Sequence, residues 1–167
     1  MRGSAAARRC LARAAAGRGV QWGETTDIIS GNAGTGLFLL YAGRELGDPA
    51  WIELAAAAGL RLIEQGRPAE ATAMFEAAMV IERERSVSRP QMRYLSYYGL
   101  SLAGIPGSIH ASLEACEAAV FRSPGDPRLL LNLARVYLES KEWEGALKVW
   151  DDMIVKYPNT PQADKVY

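Results

Sequence analysis

PRLLLNLARVYLESKEWEGALKVWDDMIVKYPNT, residues 127–160, decides the fold. Leu130, Leu133, Ala134 and Tyr137 recur at intervals of three and four, the repeat of one face of a helix. Ala146 follows Ala134 by twelve residues, Trp150 and Met153 follow at four and three, and Pro158 closes the segment. The connection between the two runs is short, so the helices must lie antiparallel as a hairpin.

The same pattern returns twice on the way back towards the N-terminus. Leu95, Tyr98, Gly99 and Leu102 are answered by Ser112, Cys116, Ala119 and Pro124, with one extra residue in the loop at 103–108. Ala55, Ala58, Gly59 and Leu62 are answered by Ala71, Phe75 and Ala78. Each position has a packing reason. A small residue in the first helix (Gly59, Gly99, Ala134) lets the second helix approach to the ~8–10 Å of packed helix pairs. A small residue early in the second helix (Ala71, Ser112, Ala146) does the same from the other side, and a larger one a turn on (Phe75, Cys116, Trp150) fills the space beyond.

These residues resemble the tetratricopeptide repeat, a helical hairpin of 34 residues, over about 52–160. Residues 127–160 fit without a gap, 92–124 fit with one insertion, and in the first hairpin Arg83 stands where the family has proline while Glu82–Gln91 adds residues. The final KYPNTPQADKVY is similar to the opening of a fourth hairpin, with 161–167 as its truncated first helix. The resemblance implies an all-α fold: an α-solenoid of antiparallel hairpins in a right-handed superhelix, whose concave face holds a protein or peptide.

Punctuation places the helices. Gly47-Asp48-Pro49 and Gly125-Asp126-Pro127 are the same three letters: a residue able to end a helix, a cap, and a proline suited to the first helical position. Helices are expected at about 49–65, 68–85, 91–104, 108–122, 127–140 and 143–157, after an apolar helical pattern from Ser30 to Leu46. No run alternates with period two, so no sheet is expected.

The segment DIISGNAGTGLFLLYA from Asp27 resembles the glycine-rich helix start of lanthionine synthetase C-like proteins, over about 24–65. That resemblance makes 24–51 a helical cap on the array and raises a second reading, a fragment or relative of a zinc-dependent cyclase. The family's cysteine and histidine ligands have no counterpart here, so the glycines carry over only as packing residues. Gly31, Gly34 and Gly36 are spaced as neither a dinucleotide fingerprint nor a phosphate loop, and are expected as a structural turn and close helix contact.

Charge and composition exclude several classes. Nineteen basic and nineteen acidic residues cancel, which argues against a cationic nucleic-acid binder. Two cysteines and one histidine neither staple a disulfide scaffold nor supply a four-ligand zinc site, so no metal, cofactor or catalytic residue is expected. No stretch reaches the ~18 apolar residues of a membrane span. With no secretory h-region, a soluble cytoplasmic protein is expected. Residues 1–23 carry five arginines and no acid, the composition of a loose basic arm. All fifteen arginines precede Lys141, the first of four lysines. That partition supports a third reading, a chimeric or truncated chain without a dedicated partner.

The remaining candidates reduce to surface and core. His110 is expected exposed at a helix start, Cys116 as a small hydrophobe in the core, and Glu114 and Glu117 as solvated carboxylates. Trp143, Leu147, Trp150 and Ile154 form one apolar stripe, expected as core or as contact between hairpins. Arg128, Asn132, Arg135 and Glu139 form a polar stripe on an otherwise apolar helix, and Arg93 and Tyr97 lie one turn apart on the helix from 91. Facing inward, Arg93, Tyr97, Arg128, Asn132 and Arg135 would make a groove for an acidic segment, because guanidinium forks bind carboxylates in pairs. The expected function is a non-catalytic interaction scaffold. The unfinished fourth hairpin leaves an apolar C-terminal edge as a route to self-association.

Overall fold

A computed structural model describes residues 32–85 and 90–160. All regular structure in them is helical: α1 Asn32–Leu46, α2 Pro49–Glu64, α3 Pro68–Glu84, α4 Met92–Ala103, α5 Ile109–Arg122, α6 Pro127–Glu139 and α7 Trp143–Lys156. The fold class is the expected all-α array of helical hairpins, and every expected boundary from Pro49 onward falls within one residue of the observed one. The basic arm at 1–23, Gly31 and the fourth-hairpin segment 161–167 lie outside the described residues.

The Gly-Asp-Pro signals act as read. Asp48 Oδ1 accepts from Ala50 N and Asp126 Oδ1 from Arg128 N, each at 3.0 Å, and a proline opens both α2 and α6. Gly47 leaves α1 with φ +75°, a conformation that costs glycine little.

Two units divide between Val87 and Ser88. In the N-terminal unit α1 packs on α2 and α3, which form the first hairpin. Gly59 lies against Phe75, where a Cβ would come within 2.7 Å of the ring, and Ala71, Phe75 and Ala58 are fully buried. Gly34 and Gly36 fall inside α1 rather than in a turn. Gly36 provides the close approach, since a Cβ there would overlap the tip of Met74. Arg85 closes the unit: its Nη2 donates to the carbonyls of Gly43 at 2.6 Å and Arg44 at 3.0 Å, in the last turn of α1. Beside it, Arg44 pairs with Glu84 at 3.3 Å.

In the C-terminal unit α4 pairs with α5 and α6 with α7; α6 also packs on both α5 and α4. Gly99 meets Cys116 and Ser112, and Ser112 Oγ donates to Gly99 O at 2.7 Å. Cys116 is buried with Leu133 and Val136, with Ile109, Leu113, Val120 and Tyr137 packed around them. A second cluster, Leu130, Leu131 and Met153, takes Trp150 and Tyr157 at its edge.

One expectation about the core is corrected. Of the stripe Trp143, Leu147, Trp150 and Ile154, Trp150 packs on the core and Ile154 is half-buried, while Trp143 is 59% and Leu147 57% exposed. No described helix follows α7.

Candidate functional site

The polar residues of α4 and α6 are organised by one buried contact. Asn132 Nδ2 donates to Ser96 Oγ at 2.9 Å, and both residues are buried. Cys116 Sγ, from α5, donates to the Ser96 carbonyl at 3.4 Å. Ser96 therefore joins α4 to both neighbouring helices. Burial pushes the Cys116 thiol up to about 12 against the opposing bond from Ser96, so at neutral pH it is an uncharged core side chain.

The expected groove residues are spread around this contact. Arg93 and Tyr97 are half-buried on α4, three residues before and one after Ser96. Arg128 and Arg135 are exposed on α6, one turn either side of Asn132. Asn132 itself is 5% exposed and turned inward, so it serves as a strut between helices. Its polarity in the sequence pointed to a groove, but its amide is engaged with Ser96.

At one end of the seam the N-termini of α4 and α6 and the C-terminus of α5 enclose a cleft of about 460 Å³. Arg93, Arg122, Ser123, Asp126 and Leu129 line it, with Pro90, Gln91 and Met92. Arg128 grips Asp126 with two side-chain bonds, Nε to Oδ1 at 2.9 Å and Nη2 to Oδ2 at 2.8 Å. These bonds first, and the more distant charge of Arg93 last, hold the Asp126 carboxyl below its ordinary value of 3.8. Asp126 is thus an ionised, already neutralised wall of the cleft. The Arg93 guanidinium also lies over the Tyr94 ring, 5.5 Å from its centre. Arg122 and Ser123 were not singled out from the sequence; they end α5, where no periodicity marks them.

The other candidates stay apart from this seam's chemistry. His110 is exposed and stands 3.5 Å from Glu114 along its own helix. Glu117 accepts from the Tyr137 hydroxyl at 2.7 Å across α5 and α6. Among the described residues no three His, Cys, Asp or Glu side chains gather where a metal ion could be held. No described helix is long and apolar enough to cross a membrane.

The geometry defines a protein built of paired helices nested by small residues, with a polar seam between the first helices of its last two hairpins. Residues 107–167 match the family model described as the tetratricopeptide repeat. A similar solved structure is the crystal structure of YrrB, described as a TPR protein with an unusual peptide-binding site; it is 18% identical, with 84% of this chain and 91% of that chain covered at a TM-score of 0.40. No curated protein matches the chain.

Proposed function

We propose that the chain is a non-catalytic interaction scaffold whose C-terminal unit holds an acidic peptide segment along the seam of α4 and α6. The carrying observation is the cleft at the end of that seam. Arg93, Arg122 and Ser123 line it, and the Asp126 carboxylate in its wall is bound by Arg128. Arg135 and Tyr97 continue the seam past the Asn132–Ser96 strut. A peptide carboxylate in the cleft would meet planar donors from two helices, and further acidic residues would run towards Arg135. Each exposed pair contributes only ~0–1 kcal/mol, so affinity must be shared among several contacts.

Fluorescence anisotropy with labelled acidic and basic peptides tests the reading. The acidic peptides should bind, and more weakly as salt rises. The pairs Arg93→Ala with Arg122→Ala, and Arg128→Ala with Arg135→Ala, should each weaken binding about tenfold, the effect of losing ~1.4 kcal/mol. Helical circular dichroism should be unchanged. Binding indifferent to both double substitutions, or to peptide charge, refutes the groove.

A further inference from the structure

Gly-Asp-Pro occurs twice, and the two copies form a comparison within one chain. Asp48 caps α2 by accepting from Ala50 N at 3.0 Å, and Asp126 caps α6 by accepting from Arg128 N at the same distance. Capping therefore does not require arginine two residues on. At the second copy that residue is arginine, and its guanidinium adds two bonds beyond the cap, Nε to Oδ1 at 2.9 Å and Nη2 to Oδ2 at 2.8 Å. Asp126 also stands in the wall of the cleft of about 460 Å³ that Arg93 and Arg122 line. The cap thus places an acid where a guest acid would bind, and like charges brought together oppose binding. Left uncovered, Asp126 would also draw on Arg93, whose charge reaches it after that of Arg128.

We propose that Arg128 serves the cleft by masking Asp126, and that it does so without touching the bound peptide; this rests on the seam reading above. Two donors of the Arg128 fork, Nε and Nη2, are already engaged by Asp126. Asp126 cannot swing away to release them without uncapping α6. The closed pair carries no net charge, which leaves Arg93 and Arg122 to hold the peptide carboxylate. Arg128 is then a positioning residue, and its removal acts on the peptide as an added negative charge in the cleft wall. Asp126 is the residue that sets how well the cleft accepts an acid.

Fluorescence anisotropy of a labelled acidic peptide with the full chain separates masking from contact. Arg128→Ala should weaken binding up to about fivefold, the reach of one exposed charge pair. Adding Asp126→Asn, which keeps a capping side chain, should return affinity to that of the wild type. Arg93→Ala should weaken binding with or without Asp126→Asn. Helical circular dichroism should be the same for every variant. Nitrogen-15 NMR of the arginine Nε–H groups reads contact directly: the peptide should shift the Arg93 and Arg122 signals and leave that of Arg128 in place. An Arg128 signal that moves with the other two, or an Arg128→Ala defect that Asp126→Asn does not relieve, overturns the masking and leaves acidic-peptide binding standing. An acidic peptide that fails to bind the wild-type chain overturns the seam reading, and the masking with it.

Discussion

Asn132 and Ser96, 36 residues apart in the chain, share a buried 2.9 Å hydrogen bond that ties α6 to α4. Ser96→Ala strands the Asn132 amide in the interior and should cost about 1–3 kcal/mol, the penalty for a buried donor without a partner. Adding Asn132→Leu should recover part of that loss, since the polar demand disappears with the amide. Urea unfolding of the four corners of the cycle checks this; a coupling energy below about 0.5 kcal/mol would show the bond to be incidental.

The glycines at the hairpin crossings differ in what opposes a side chain. At Gly99 a Cβ would lie 2.6 Å from Cys116 Sγ and 2.9 Å from the Ser112 carbonyl oxygen. The carbonyl belongs to helix α5 and cannot turn aside, so Gly99→Ala should destabilise by about 1–3 kcal/mol even with Cys116→Ala beside it. At Gly59 the obstacle is the ring of Phe75, at 2.7–3.2 Å. Gly59→Ala should therefore be relieved by Phe75→Leu. Thermal melts of the two double variants distinguish a backbone obstacle from a side-chain one.

Arg85 secures α1 from outside it. Two carbonyls of the last turn accept from one guanidinium nitrogen, which answers the helix's unpaired C-terminal groups and its negative end. Arg85→Ala should cost about 1 kcal/mol, because one of the two bonds is solvent-exposed. The loss should be local: amide exchange in the last turn of α1 rises, while that of α6 is unchanged. Arg85→Lys, with a rotatable ammonium in place of the planar fork, should restore only part of the protection.

Helix boundaries were legible because they rest on local chemistry. Asp48 and Asp126 cap within two residues of themselves, and prolines 49 and 127 need no distant partner. Close-approach positions were legible too, since Gly99 and Ser112 lie thirteen residues apart inside one hairpin. Periodicity shows that a face is apolar, but not whether anything covers it. Trp143 and Leu147 were therefore assigned to contact although the structure leaves them open. Asn132 shows the converse. A polar residue in a stripe with Arg128 and Arg135 looks solvated until Ser96 is brought to it from another hairpin. Arg122 joins the cleft only through the turn of the chain between α5 and α6, which no spacing rule displays.

Alkaline pH should loosen the C-terminal unit before it affects neutral contacts. Burial raises the Cys116 thiol from 9.0 to about 12. Tyr137 rises from 10.0 to about 12, chiefly through partial burial, with its bond to Glu117 acting in the same sense. In both cases the folded chain holds a proton that the unfolded chain releases earlier. Their contribution is thus fully present below about pH 9 and declines as pH climbs towards 12. Urea midpoints should fall across that window, and Cys116→Ala with Tyr137→Phe should flatten the decline. The thiol offers a direct readout in a Cys10→Ser background. Alkylation at pH 8 should be slow in native chain and rapid in urea, because only the unfolded state exposes a thiolate. Equal rates in the two states would mean that Cys116 is not sealed between α4, α5 and α6.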